Sequence, residues 1–388
     1  MHVMSTCTKN REFCARFWDL HKKDENLCIY FAMNRSILPP LPLAINFDTV
    51  EILRQLTKSS RALAELKGEI KTIPNEHILI NTLGLQEAKD SSAIENIITT
   101  NDELYRATVD DTYINPAAKE VQNYASALLE GFDQVRLTGL LRNKTILSIQ
   151  RELEQNNAGF RRLPGTVLKN NFGEVVYTPP QDYAEIERLM SNLEQYINDN
   201  RLQDLDPLIK MAIIHHRFES IHPFYDGNGR TGRIINILYL VKEGLLNIPV
   251  LYLSHYIIKH KDLYYKHLQE VGTQDTWEAW ILYMLVGVEE TAHQTIDLVQ
   301  RIRQMMSRHK AVLKSETSFY RKELLDTLFK HPYTKITFLE EELTIHRNTA
   351  AAYLNRMTEL GILEKVKIGR SNYYVNSELF QLLKAGYH

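Results

Sequence analysis

The chain has 388 residues, of which 46 are Lys or Arg, 48 are Asp or Glu and 44% are hydrophobic. This length suggests two or three domains, and the composition excludes disorder of the whole chain. The net charge of −2 gives neither a basic field nor an acidic tail. Any site for a polyanion therefore has to be local.

Cysteine usage and hydropathy indicate in which cellular compartment the protein is expected. All three cysteines, Cys7, Cys14 and Cys28, precede residue 29, so the rest of the chain has no disulfide framework and no cysteine-ligated metal. The longest apolar run, 234–241, contains an asparagine and ends at a lysine, far short of the roughly 20 residues that a membrane span needs. We expect a cytoplasmic protein with no membrane partner.

The first third of the chain is predicted to be helical. Residues 1–32 differ from the rest in cysteine use and are left as an unassigned N-terminal arm. A proline-rich extended segment at 38–43 follows, and Asp48 is expected to cap the first helix. Asn115 and Pro116 supply the start of a later helix. The predicted helices are 48–71, 76–101 and 117–132.

The middle of the chain changes character once. Two β-prone runs surround an Asn/Gly turn, and they predict a hairpin over 166–177. Helical periodicity returns at 183–197 and 207–218, and it dominates from 230 to about 306.

The last 70 residues follow a different pattern. Helices are predicted near Leu324 to Leu328, from Thr337 to Leu343 and from His346 to Leu360. Two short alternating strands follow. Three helices and a hairpin in this order predict a winged helix-turn-helix.

One stretch carries the chemistry. Gly227, Asn228 and Gly229 form a loop that can expose successive backbone N–H groups at the start of an apolar helix, which is the physical basis of a phosphate site. Arg230 and Arg233 lie one turn apart and can clamp further phosphate oxygens. A triphosphate fits this arrangement better than a single phosphate does.

Two side chains before this loop complete the set. Asp226 offers the oxygen ligand that Mg²⁺ prefers beside phosphates. His222, stiffened by Pro223, is the base of the loop that is neutral near pH 7. Together these residues could deprotonate a hydroxyl beside a metal-bound nucleotide.

The run from His222 to Arg233, His-Pro-Phe-Tyr-Asp-Gly-Asn-Gly-Arg-Thr-Gly-Arg, closely resembles the signature of the Fic (Fic/Doc) family. The resemblance implies a mainly α Fic-type helical bundle that transfers AMP from ATP to a Ser, Thr or Tyr hydroxyl of a protein. It also implies docking of that protein on hairpin 166–177 and autoadenylylation of the chain itself. The implied roles are a base (His222), a Mg²⁺ ligand (Asp226), and an ATP site of Gly227, Asn228, Gly229, Arg230, Gly232, Arg233 and, near the nucleotide base, Tyr265.

A second motif, Ser91-Ser92-Ala93-Ile94-Glu95-Asn96, resembles the inhibitory motif of family members that carry an autoinhibitory helix before the core. The resemblance implies that Ser91 and Glu95 are inhibitory. A Glu95 carboxylate paired with Arg233 would occupy the anion position that the γ-phosphate of ATP needs.

Other interpretations stay open at this point. Over 320–388 the ten Lys and Arg exceed the eight Asp and Glu by only two, so the winged helix could bind DNA or a protein. A nucleotide-sensing transcription regulator would use the same module. A metal hydrolase, including one that removes AMP, could use His215 and His216 with Asp226, although adjacent histidines point to different helix faces. A homodimer is also left open.

These observations give one domain plan. Residues 1–32 are unassigned, 33–115 form a helical region with the inhibitory helix, 116–306 form the Fic catalytic core, and 320–388 form the winged-helix (α+β) domain.

Overall fold

A computed structural model of the chain describes residues 38–109, 115–169, 172–368 and 371–385. The predicted arm at 1–32 lies outside these ranges. The helices are α1 Val50–Ile70, α2 Glu76–Ile94, α3 Asn101–Val109, α4 Pro116–Thr138, α5 Asn143–Glu154, α6 Tyr183–Asn198, α7 Pro207–Ile221, α8 Asn228–Lys242, α9 Leu253–Lys259, α10 Lys261–Gln274, α11 Trp277–Glu316, α12 Lys322–Lys330, α13 Ile336–Leu343, α14 Arg347–Glu359 and α15 Ser377–Ala385. A short 3₁₀ turn covers Asn200–Leu202.

The strands form two small antiparallel sheets. Strand β1 (Leu168–Lys169) pairs with β2 (Val175–Tyr177), which confirms the predicted hairpin. In the second sheet the order is β3 (Tyr333–Thr334), β5 (Ser371–Val375), β4 (Glu364–Ile368). The fold is therefore mainly α with a hairpin and a winged helix, as predicted. None of the helices in the described ranges has the length and hydropathy needed to cross a membrane.

Several predicted boundaries were wrong, for local reasons. Thr49, not Asp48, caps α1, because the Thr49 hydroxyl accepts from the Ile52 N–H at 3.3 Å. The second helix ends at Ile94 rather than near residue 101. A new helix then starts at a capping box in which Thr100 and Glu103 satisfy each other's backbone N–H. Glu95 consequently stands at the C-cap of α2.

Helix α5 was not predicted, although its apolar positions are buried. Its N-cap residue, Arg142, makes no side-chain capping bond, so the sequence lacks a start signal there. Asn115 and Pro116 do start α4, as predicted. That helix runs to Thr138 and stops at Gly139, whose φ of 67° is left-handed.

Helices α2, α4 and α9 are joined by a buried carboxylate. Glu87 accepts hydrogen bonds from the Tyr124 hydroxyl (3.1 Å) and the Ser254 backbone N–H (3.2 Å). Burial foremost raises the Glu87 pKa to about 7. This contact fixes the helix that ends at Glu95 against the body of the protein.

The long helix α11 packs along α1 and extends toward the winged-helix module. The module contacts the rest of the chain through α12, β3 and α15. The Tyr333 hydroxyl donates to Asp102 Oδ1 at 2.8 Å, and the Tyr333 ring stacks on Tyr105 with centroids 5.9 Å apart. The module is thus attached to α3, the helix that follows Glu95.

Candidate active site

The signature loop connects the end of α7 to the start of α8. Asn228 closes the loop with its amide: Oδ1 accepts from the Phe224 N–H, and Nδ2 donates to the Phe224 carbonyl, both at 2.9 Å. Gly227 caps α8 with a left-handed φ of 78°. The first N–H groups of α8 therefore face the loop, which is the geometry of an anion nest.

His222 ends α7 in a left-handed backbone conformation, with φ of 49°. Its carbonyl oxygen accepts from Arg161 Nε at 2.8 Å, and its ring Nδ1 is buried with no hydrogen-bond partner among the described residues. Burial, and then the Arg161 charge, lower the His222 pKa to about 4. The imidazole is therefore neutral at pH 7 and can accept a proton.

Three glycines of the signature allow close approach of carboxylates. A Cβ on Gly227 would lie 2.5 Å from Glu154 Oε1, and one on Gly229 would lie 2.3 Å from Glu95 Oε1. A Cβ on Gly232 would lie 2.4 Å from Glu219 Oε1. A carboxylate thus lies against each of these three glycines, in the space that a side chain would fill.

Arg233 is buried and makes three hydrogen bonds to the end of α2. Its Nε donates to Ser91 Oγ at 2.8 Å, and its Nη2 donates to the Ser91 carbonyl (2.9 Å) and to Glu95 Oε1 (2.8 Å). Burial raises the Glu95 pKa, but the Arg233 charge and hydrogen bond outweigh burial, so the pKa lies below its usual value. The predicted pair of Glu95 and Arg233 is present.

Arg230 is buried too, but its partners are different. It donates to Glu120 Oε2 at 3.1 Å and to Glu154 Oε1 at 2.8 Å. Burial foremost raises the Glu154 pKa. Neither partner was predicted from the sequence, because both lie far from Arg230 along the chain.

Asp226 lies at the mouth of the nest with its side chain 80% exposed. Its Oδ1 accepts from the Gly227 N–H at 2.7 Å. In the ranges that the structure describes, no group of three or more His, Cys, Asp or Glu side chains could hold a metal ion. A Mg²⁺ ion here would therefore rely on Asp226, phosphate oxygens and water, the ligand set typical of Mg²⁺ with nucleotides.

Glu219, one turn before His222, was not predicted as part of the site. It is buried, and its Oε1 has no hydrogen-bond partner among the described residues. Burial raises its pKa to about 8. Burial therefore favours the neutral form of Glu219, although the Arg233 charge opposes this shift.

The histidines of the metal-hydrolase hypothesis point away from the loop. His215 Nε2 contacts the Tyr264 hydroxyl at 2.9 Å, and His216 Nε2 contacts the Leu268 carbonyl at 3.2 Å. Both are buried, and burial foremost lowers both pKa values to about 3. They serve as packing contacts to α10, and this geometry does not favour a hydrolase.

Tyr265 lies on α10, next to that packing contact. Its ring meets Tyr264 edge to face at 5.1 Å, and the side chain is partly exposed. Burial, and then the Glu95 charge, raise its pKa. Its place beside Glu95 is compatible with the predicted contact to a nucleotide.

The hairpin and the segment before it are hydrogen-bonded to the loop through residues to which the sequence assigned no such role. The Tyr177 hydroxyl donates to the Ser220 carbonyl at 2.8 Å, and the Arg161 N–H donates to the Pro223 carbonyl at 2.8 Å. The Tyr225 hydroxyl accepts from the N–H groups of Arg162 and Leu163. Residues 170–171 at the hairpin tip lie outside the described residues.

Comparison with known proteins fits this geometry. The Fic/DOC family N-terminal model matches residues 53–133, the Fic/DOC family model matches 140–240, and the model of the protein adenylyltransferase SoFic-like C-terminal domain matches 305–379. Together they cover more than half of the chain. The chain belongs to the Fic/DOC family.

Curated relatives are similar over shorter stretches. A probable protein adenylyltransferase of Aquifex aeolicus is 39% identical over 72 residues, which is 19% of this chain and 22% of the relative. Protein adenylyltransferase Fic of Drosophila erecta is 28% identical over 127 residues, 32% of this chain and 24% of the relative. The matches thus span about a quarter of each relative.

The fold has a counterpart among solved structures. A Fic family protein from Desulfovibrio desulfuricans superposes with a TM-score of 0.55 and 20% identity, covering 87% of this chain and 98% of that one. At this identity the likeness concerns the fold, and it extends over most of both chains.

Proposed function

We propose that this protein is an adenylyltransferase that transfers AMP from ATP to a hydroxyl group of a protein, including its own chain. The observation that carries the proposal is the signature loop itself. A neutral His222 ends α7, an anion nest begins α8, and an exposed Asp226 lies between them. Family membership and relatives named protein adenylyltransferase support the same activity.

The chemistry follows from these positions. His222 accepts the proton of the target hydroxyl while the hydroxyl oxygen forms a bond to the α-phosphorus of ATP. The bond between the α-phosphorus and the bridging oxygen breaks, and diphosphate leaves. The nest at Gly227–Gly229 and the two arginines would hold the phosphates. Mg²⁺, with Asp226 as its protein ligand, would neutralise charge on the phosphates.

The hairpin is the proposed docking site for the target. Its edge can hold an extended segment through main-chain hydrogen bonds, without fixing the sequence of that segment. Because Tyr177 and Arg161 bond the hairpin base to the backbone around His222, a docked hydroxyl would be held in register with the base. The short strands expose Val175 and Val176 to such a segment.

Glu95 is the proposed inhibitor. Its carboxylate accepts from the Arg233 guanidinium at 2.8 Å, and Ser91 Oγ accepts from Nε of the same group. An Arg233 held in this way is not free to bind the γ-phosphate of ATP. ATP would then bind, if at all, with the α-phosphorus badly placed for attack.

Incubation with ATP labelled at the α-phosphate tests the activity. Label on the protein, with one added AMP by intact-mass spectrometry, is expected for the Glu95→Gly variant. Conversion of the label to free ADP or AMP, with none on the protein, would indicate a hydrolase. If neither result is observed, the protein only senses nucleotide.

His222→Ala in the Glu95→Gly background identifies the base. Loss of a general base typically costs roughly 10²–10⁴-fold in rate, whereas ATP binding should persist because nest and arginines remain. His293→Ala is the matched control, since His293 is exposed on α11. Equal labelling of the His222 and His293 variants would remove His222 from the mechanism.

A further inference from the structure

The helix of the winged-helix module that would enter a DNA groove is not used to attach the module. The module meets α2, α3 and α11 through α12, β3 and α15. Helix α14 instead packs mainly against α13 and β4 of its own module. One linker residue, Phe319, stacks on the Tyr353 ring at 4.0 Å. Ala350, Leu354 and Met357 form the buried side of α14, and the opposite side of the helix is exposed.

The outward surface of α14 and strand β4 carries polar and basic side chains. Arg347, Asn348, Arg356, Lys365 and Lys367 are all exposed, and we call this set the wing face. The two lysines are two residues apart on β4, so they point to the same side of the sheet.

Helix and wing form one surface. Asn355 on α14 accepts hydrogen bonds from Lys365 Nζ on β4 (3.1 Å) and from the Tyr374 hydroxyl on β5 (3.0 Å). These bonds hold Lys365 and β5 beside the helix. Lys365 of the wing is therefore held next to the exposed side of α14.

Nearby carboxylates offset the two arginines of the wing face more than its two lysines. Of the three glutamates on α13, Glu342 is paired with Lys330, away from the wing face. Glu340 is 3.9 Å from Arg347, and Glu359 is 2.9 Å from Arg356. Both pairs lie at the surface, although Glu340 is half-buried, and surface ion pairs contribute roughly 0–1 kcal/mol. Breaking either pair therefore costs little.

The wing face also lacks what a protein partner needs. Protein interfaces depend on large apolar or aromatic anchors that become buried. Among the side chains that the structure describes, no large hydrophobic one is exposed within the module. On α14 the neighbours of Arg347 and Asn348 are small, because residues 350–352 are all alanine. A slim, polar, basic helix face suits a groove about 12 Å wide.

We propose that the wing face binds double-stranded DNA. The first turn of α14 would enter the major groove, where Arg347 and Asn348 face base edges. Arg356, Lys365 and Lys367 would contact phosphates beside the groove. This binding is separate from the proposed transferase activity and does not depend on it.

Fluorescence anisotropy of the full chain with a labelled duplex of mixed sequence, about two helical turns long, tests this. With about three phosphate contacts, the affinity should fall roughly 40-fold between 50 and 200 mM salt. The variant Lys365→Ala/Lys367→Ala should bind more weakly and reduce the salt slope by about two. The same variant should keep its autoadenylylation rate.

The matched control removes two exposed lysines from the same module on the elements that face the rest of the chain. Lys322→Ala/Lys384→Ala has the same charge change, and it should bind the duplex as wild type does. Absence of binding by wild type at about 50 mM salt, where phosphate contacts are strong, would overturn the proposal. Equal losses in both double variants would also overturn it, because net charge alone would then explain the binding.

Asn348→Ala tests the assignment of the first turn to base edges. A pool of duplexes with a randomised centre is selected on wild type and on the variant. We expect a preferred sequence for wild type and relaxed preference at one base pair for the variant. Identical selected pools, or no enrichment by wild type, would overturn that assignment.

Discussion

Two helices of this protein begin beside positive charge, and they handle it in opposite ways. At the start of α8, Arg230 and Arg233 are buried, and each is bonded to a carboxylate at 2.8 Å. At the start of α14, Arg347 is exposed, and its nearest carboxylate is 3.9 Å away. At α8, carboxylates occupy the arginines where a ligand phosphate would bind. At α14, the exposed Arg347 is available to a ligand.

The difference follows from burial. A buried guanidinium without a partner would be expensive, so the fold supplies carboxylates at the active site. A ligand phosphate there must displace a carboxylate that is already well placed. An exposed guanidinium remains solvated by water and needs no such partner. Regulation by a competing carboxylate is therefore natural at α8 and has no basis at α14.

The largest expected effect comes from removing the buried cation. Arg233→Ala should lower autoadenylylation roughly 10²–10³-fold, the usual cost of one preorganised donor to a developing anion. The double variant Glu95→Gly/Arg233→Ala should be no faster than Arg233→Ala. Removing Glu95 helps only by releasing Arg233, and the double variant has no arginine to release. Initial rates at saturating Mg·ATP measure both. Arg233→Lys, which keeps the charge, separates loss of the guanidinium fork from loss of fold.

Removing the competing carboxylate should have the opposite sign. Hydrogen bonds between charged groups contribute roughly 1.5–3 kcal/mol, and about 1.4 kcal/mol corresponds to one decade. Glu95→Gly should therefore raise autoadenylylation by about one to two decades. Glu243→Gly is the matched control, since Glu243 is also a glutamate at a helix C-cap. A wild type as fast as Glu95→Gly would make Glu95 an ordinary surface carboxylate.

Burial at the active site should also appear in the titration of the base, His222. The neutral imidazole is the active form, and its pKa is lowered to about 4 by burial foremost. At about pH 5.5 an ordinary histidine with a pKa of about 6.5 is roughly 90% protonated. His222 should still be neutral, so the base should keep about tenfold more of its active form than an exposed imidazole.

NMR of selectively labelled histidines measures this directly. His222→Ala identifies the signal, and His293, which is exposed, serves as the comparison within the same sample. A His222 midpoint near the ordinary value of about 6.5 would mean that the ring is solvated rather than buried, and it would contradict a base kept neutral by burial.

The signature loop could be predicted because its determinants are local. Pro223, the left-handed Gly227 and the start of α8 follow from neighbouring residues, and the structure places His222, Asp226 and the two arginines around one loop. The pair of Glu95 and Arg233 was predicted through the family resemblance, not from spacing. The roles of these residues stay predictions.

What the sequence did not reveal depends on contacts between distant segments. Glu120 and Glu154 reach Arg230 from 110 and 76 residues away, and Arg161 reaches the His222 carbonyl from 61 residues away. No spacing rule connects such pairs. The break between α2 and α3 was missed for another reason, since a capping box at Thr100 outweighs a continuous apolar pattern.

The smallest expected effect concerns the attachment of the winged-helix module, which uses Tyr333 and not α14. Tyr333 attaches the module to α3 through its hydroxyl, which donates to Asp102 Oδ1 at 2.8 Å. The pair is only partly buried, so Tyr333→Phe should cost about 1 kcal/mol, the net value of a typical hydrogen bond. Because about 1.4 kcal/mol is one decade, amide hydrogen exchange in α3 should rise about fivefold, while exchange in α14 stays unchanged. Tyr183→Phe is the matched control, since the Tyr183 hydroxyl donates to Glu187 at 2.6 Å on the exposed face of a single helix. Faster exchange in α14, or an equal effect of the Tyr183 substitution on α3, would show that the module is not attached through Tyr333 and would remove the reason for treating α14 as the free face.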